Sequence, residues 1–274
     1  MSATPQSPSV DNATASGSEG SQVGGRGCPI RGNTALQASK SFPDRIALRN
    51  VRVYPFPSVD NLIDFADAQK GILVAVNAEK ILKANDTTLP IMNGNIGYLD
   101  GSGPVLAARQ KGAAQAVKIA GCELWLNIID RFHSSKTFYI IGASPEVHRR
   151  TVEKLRSDYP DINIVGHRDG YLADDKARAA LIDDVADKRP DIVFVAMGSP
   201  KQEILMTDMF ARHKAIYQGL GGSFDVYAGN IPRAPRWWID HNIEFVYRFL
   251  RQPKRFNREI IKLRFAWWLL WHKF

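Results

Sequence analysis

The 274-residue sequence holds only two cysteines, Cys28 and Cys122, and they share no C-x-x-C spacing. That excludes a disulfide framework and a cysteine-based metal site, and it fits a reducing compartment. Cys122 opens an apolar helical stretch, so a packing role is expected for it. No run approaches the roughly 20 apolar residues of a membrane span. No apolar segment follows a basic start, as a secretory signal would require. A soluble or peripheral cytoplasmic protein is therefore expected. Residues 1–40 lack apolar periodicity and are rich in Ser, Gly, Thr, Asn and Gln. Such a stretch cannot offset its ordering entropy and is expected to be a disordered tail.

Acidic residues are scarce at the other end. From Arg248 onward there are eight cations (Arg248, Arg251, Lys254, Arg255, Arg258, Lys262, Arg264, Lys273) against one acid, Glu259. These 27 residues carry 8 − 1 = +7 of the chain's formal +8. The basic feature is local and calls for a local partner. Arg251, Arg255, Arg258 and Lys262 share one helical face. Phe256, Ile260, Leu263, Trp267 and Leu270 follow beside it, with Trp268 and Trp271 nearby. Adjacent cationic and apolar stripes suit a helix lying on an anionic membrane. A helix packed on the core with solvated cations is the plainer alternative.

What the chain does have is alternation. Short apolar runs at 71–76, 137–142, 162–166, 191–197 and 215–220 read as buried strands. Amphipathic helical patterns at 59–69, 77–85, 104–118, 121–132, 145–157, 174–187 and 201–213 lie around and between them. This spacing predicts βαβ units: an α/β, Rossmann-like, mostly parallel sheet flanked by helices. The expected organisation is the tail 1–40, a core 41–244 and a helical appendage 245–274.

Glycine-containing loops follow three strands, at Gly142–Pro145, Gly198–Pro200 and Gly219–Gly222. In open α/β sheets ligands bind beyond the strand carboxyl ends, where loop amides and helix N-termini can hold phosphate. Lys201, Gln202 and Glu203 open a helix at that end. Gln202 is suited to hydrogen-bond a sugar or base, and Asp225, after Gly221-Gly222, to meet hydroxyls. Each also has a local reading, as helix start or cap. Asp100 on spacing alone is a turn residue, and Asn77-Ala78-Glu79 reads as a helix start. The dinucleotide fingerprint G-x-G-x-x-G is missing after the first strand, which argues against a nicotinamide oxidoreductase. A nucleic-acid-binding protein could use the basic, aromatic terminus, but would leave the sheet loops without a task.

Several segments taken together carry a resemblance. They are Asn77-Ala78-Glu79, Asp100-Gly101-Ser102-Gly103, Pro200-Lys201-Gln202-Glu203, Gly221-Gly222-Ser223-Phe224-Asp225, Arg233-Ala234-Pro235, and Tyr247-Arg248 with Gln252-Pro253-Lys254-Arg255. In this order and spacing, over about residues 45–274, the chain resembles the WecG/TagA/CpsF glycosyltransferases (glycosyltransferase family 26). Ala75 and Val76 stand where relatives such as TagA carry Thr and Pro, which argues against a hydroxyl contact from that loop.

The resemblance implies an inverting transfer with no cofactor and no obligatory metal. Asp100 matches the proposed general base, and Arg248, Arg255 and Arg258 match basic positions of the C-terminal appendage that would stabilise the leaving diphosphate. Asn77, Glu79, Gly198, Lys201, Gln202, Gly221, Gly222, Asp225 and Arg233 are the expected substrate-binding residues. The implied partners are a UDP-sugar donor, a polyprenyl-diphosphate-linked saccharide acceptor and the anionic inner face of the bacterial inner membrane, without nucleic acid. Homo-oligomer formation is left open. The segments Val76–Lys80, Asn163–Gly166, Asp169–Tyr171 and Ala196–Ile204 favour the subgroup that transfers N-acetyl-D-mannosaminuronic acid in enterobacterial common antigen synthesis. N-acetylmannosamine or glucose donors, in teichoic acid or exopolysaccharide synthesis, remain the alternatives. A carboxylated donor calls for a cation, and Lys80 and Lys201 are candidates.

Overall fold

The structure, a computed structural model, describes residues 42–230 and 264–271, all within one compact unit, Ser41–Phe274. It opens with an antiparallel pair, β1 (Ile46–Leu48) and β2 (Val51–Val53). There follow α1 (Val59–Gln69), β3 (Gly71–Val76), α2 (Ala78–Leu82), α3 (Thr88–Gly94), β4 (Ile96–Leu99), α4 (Ser102–Gln110) and α5 (Gly121–Phe132). Next come β5 (Thr137–Gly142), α6 (Pro145–Asp158), β6 (Asn163–Arg168), α7 (Asp175–Lys188), β7 (Ile192–Ala196), α8 (Lys201–Arg212), β8 (Ile216–Gly219) and α9 (Ser223–Tyr227). A last helix, α10, covers residues 264–270.

Strands β3 to β8 form one parallel sheet in the order β4-β3-β8-β7-β5-β6. The apolar runs feed both faces because side chains alternate along a strand. Ile72, Val74 and Val76 of β3, with Val193 and Val195 of β7, join the core under α4, α7 and α8. Leu73, Ile192 and Phe194 join the opposite core, under α1, α5 and α6. Crossovers toward β4 use the first face, and the β5-to-β6 crossover uses the second. A single crossover handedness requires this division. Local chemistry fixes the helix starts: Ser58, Ser144 and Asp174 cap α1, α6 and α7 by accepting a backbone N–H three residues on.

The expected parallel α/β sheet with flanking helices and a basic, aromatic C-terminal helix is what the chain forms. Three strands were not foreseen. Among them β4 matters most, because it delivers Asp100. The helix expected over 77–85 is the short α2, ending at Leu82, α3 after it was not foreseen, and the helix expected over 104–118 stops at Gln110.

Candidate functional site

A parallel sheet gathers all its strand carboxyl ends on one edge. The neighbouring strands β4, β3, β8 and β7 therefore bring together Asp100, Asn77, the Gly221-Gly222 loop and the Gly198 loop. The outgoing connections of β5 and β7 run to opposite sides, toward β6 and β8, the topology at which open α/β sheets place a ligand crevice.

Asp100 directly follows β4, and its backbone N–H donates to the Val76 carbonyl at 3.0 Å, so it is fixed beside the end of β3. Two residues earlier, on the same strand, the Tyr98 hydroxyl is fully buried. Burial first, and then the nearby Asp100 carboxylate, push that phenol well above the usual tyrosine range. Gln218 of β8 lies beside it, donating its amide N–H to the Gly121 carbonyl at 3.0 Å. The backbone of Ile119 donates to Leu99 at 2.9 Å, which brings the start of α5 to the same place. There a pocket of about 200 Å³ is lined by Lys118, Ala120, Cys122 and Glu123, among others. Cys122 is exposed in it, not packed in the core as expected.

Asn77 caps α2: its side-chain oxygen accepts from the Lys80 N–H at 3.0 Å. Glu79 pairs with Lys83 at 2.8 Å along the same helix. Lys80 reaches across the edge to Glu203 of α8, Nζ to Oε1 at 2.9 Å. One of the two cations expected to read a donor carboxylate is therefore already paired. Lys201, at the start of α8, is exposed.

Gln202 is 5% exposed. Its side-chain oxygen accepts from Gly198 N–H at 3.2 Å and Gly221 N–H at 2.9 Å, and its amide donates to Glu203 Oε1 at 3.3 Å. Other loop amides are also engaged within the protein. Ala143 donates to Ala196, Gly170 to Ala143 and Leu220 to Val195. The glycine loops thus spend these N–H groups on one another, which limits what they can offer a phosphate. Asp225 is half-buried in the first turn of α9, close to Gly222.

Helix α10 docks against this edge. Phe265 is 2% exposed and packs on Gly103, three residues past Asp100; a β-carbon there would lie 3.0 Å from two Phe265 ring atoms. The Arg49 and Arg264 guanidinium groups lie 4.1 Å and 5.0 Å from the centre of the Trp268 ring, and Gln110 donates to the Leu269 carbonyl at 3.2 Å. Trp267, Leu270 and Trp271 are 58%, 75% and 61% exposed. Arg233, Arg248, Arg255 and Arg258 lie outside the described residues.

The chain from residue 48 to 274 matches the glycosyl transferase WecG/TagA/CpsF family. The protein belongs to that family. The matched span takes in the whole parallel sheet, Asp100, the crevice loops and α10. This WecG/TagA/CpsF member is accordingly a glycosyltransferase of cell-envelope biosynthesis, and its family implies a UDP-sugar donor and a polysaccharide or lipid acceptor. Among the described residues no helix is long and apolar enough to cross a membrane.

Gln202 is legible in the sequence as a site residue, whereas Glu203, its neighbour in the same motif, shows there only as part of a helix start. Sequence reasoning also passed over Tyr98 and Gln218. Gln218 carried a signal, a lone amide inside an otherwise apolar strand run.

Proposed function

We propose that this glycosyltransferase moves N-acetyl-D-mannosaminuronic acid from its UDP-sugar onto a polyprenyl-diphosphate-linked GlcNAc, with inversion at the anomeric carbon. The observation that carries the reading is Asp100, fixed at the end of β4 on the edge that also holds the Gly198, Gln202 and Gly221 loops.

In this reading the Asp100 carboxylate takes the proton from the acceptor hydroxyl. The acceptor oxygen forms a bond to the anomeric carbon from the face opposite the nucleotide. The bond from that carbon to the diphosphate oxygen breaks, and UDP leaves with the electron pair. General-base help of this kind is worth about 10²–10⁴-fold. The leaving diphosphate gains negative charge. With the Gly198 and Gly221 amides held by Gln202, side-chain cations are the natural source of stabilisation. Arg248, Arg255 and Arg258 are proposed for that task, since guanidinium presents several donors in a fixed fork. Asn77, Glu79, Lys201, Gly222, Asp225 and Arg233 are proposed donor contacts. Lys201 is the better candidate for the donor carboxylate, because Lys80 is paired with Glu203. The exposed face of α10 is proposed to rest on the anionic membrane surface that carries the acceptor.

The test is transfer of labelled sugar from a panel of UDP-sugars onto polyprenyl-diphosphate-GlcNAc. Transfer from the uronic acid donor alone supports the full reading. Transfer from N-acetylmannosamine or glucose donors would keep the chemistry and change the donor. Asp100→Asn should lose roughly 10²-fold or more in turnover while binding UDP as before. Undiminished turnover would remove Asp100 as the base.

A further inference from the structure

The Lys80–Glu203 pair is costly for a fold. The Glu203 side chain is 8% exposed and that of Lys80 22%. Glu203 Oε2 is buried with no hydrogen-bond partner among the described residues. An apolar pair of similar volume is often as stabilising as a buried ion pair, or more so. Departures of this kind from the cheapest packing concentrate at functional sites.

The surroundings show what the pair touches. Glu203 Oε1 accepts from both Lys80 and the Gln202 amide. Gln202 in turn accepts from Gly198 N–H and Gly221 N–H. Lys80 belongs to α2, which follows β3; Gly198 follows β7; Gly221 follows β8. One polar chain, Lys80–Glu203–Gln202, thus joins the loops after three adjacent strands at the ligand edge. Gly219 makes room for it: a β-carbon there would lie 2.3 Å from Gln202 Nε2.

We propose that Glu203 is a positioning residue: paired with Lys80, it orients Gln202 so that the Gly198 and Gly221 loops are held in their ligand-binding arrangement. The pair acts through Gln202 and need not touch substrate. The activity side of this inference rests on the UDP-sugar reading, and the loop side does not.

The experiment uses the full chain and UDP as probe. Lys80→Met/Glu203→Met removes the charges and keeps the volume. The expected result is an unfolding temperature equal to or above wild type, UDP affinity down by about tenfold, the scale of one hydrogen bond, and faster amide exchange at Gly198 and Gly221. Gly219→Ala reaches the same latch from the other side by displacing the Gln202 amide, and should reproduce the faster exchange with Lys80 and Glu203 intact. Unchanged exchange at both glycines in either variant that folds overturns the proposal. So does unchanged UDP affinity despite faster exchange, since the latch would then position nothing. A wild-type protein that does not bind UDP would overturn the donor reading instead, and exchange at the two glycines would then decide the latch alone.

Discussion

At the residue scale, His148 and His167 form a pair with a definite proton arrangement. His148 Nδ1 lies 3.0 Å from the Gly142 carbonyl, which can only accept. Neutral His148 must therefore donate there and accept, at Nε2, from His167 Nδ1 at 3.1 Å. Burial lowers both imidazoles below the ordinary 6.5; Asp169 pulls His148 back up, and Arg156 and Lys188 press His167 further down. The unfolded chain therefore takes up protons as pH falls through 6.5 while the folded chain resists. The pair's stability is complete above that value and declines below it. The urea midpoint should fall as pH drops from neutral through 6.5, and His148→Asn/His167→Asn should flatten the decline. An equally steep decline in the variant would assign the pH dependence elsewhere. Pairings like this were not legible in the sequence. Asp100, Gln202 and Gly221 stood out through local motifs, but Lys80 and Glu203 are 123 residues apart. Only the sheet order makes them neighbours.

At the element scale, sequence pattern carried furthest where one period was long and uninterrupted. The limits of α1, β3, α5 and β5 agree with expectation, because their apolar spacing runs unbroken between clear stops. β4 was missed because Ile96-Gly97-Tyr98-Leu99 is four residues long and half of it gives no β signal by itself. It becomes a strand by pairing with β3 and by accepting, at Gly97, the Tyr54 N–H at 2.8 Å. Helix α10 shows the converse. Its periodicity was plain, but which face would be covered was not, and the buried contact is Phe265 on Gly103. Phe265→Ala should undock this peripheral helix without unfolding the sheet. Phe-to-Ala changes at buried sites cost about 3–5 kcal/mol, which is more than a two-turn helix can lose locally. Amide exchange over 264–270 should rise toward that of an open chain while the main unfolding transition stays in place. Slow exchange there in the variant would mean that Leu269 and Trp268 suffice to hold α10.

At the scale of the whole molecule, charge and apolar exposure converge at one end of the chain. The last 27 residues hold +7 of the net +8. Among the described residues, Trp267 and Trp271 lie with ring centroids 5.7 Å apart in a tilted contact and sit with Leu270 on the open face of α10. Phe265, on the opposite face, packs beside the loop of Asp100. A surface resting on this open face would be held close to the proposed base, as the proposed transfer onto a lipid-linked acceptor requires. The two contributions can be separated. Cations near an anionic surface are worth about 1 kcal/mol each, and raising salt from about 0.1 M to about 1 M shortens the screening length from about 10 Å to about 3 Å. Full-length protein should therefore sediment with vesicles containing phosphatidylglycerol at low salt and be largely released at high salt. Trp267→Ser/Leu270→Ser/Trp271→Ser should weaken binding at every salt concentration, because burial of apolar area is not screened. Deleting residues 245–274 should abolish it. Binding that survives the deletion would move the membrane surface off α10, and equal binding to uncharged vesicles would leave the basic terminus free for the diphosphate alone.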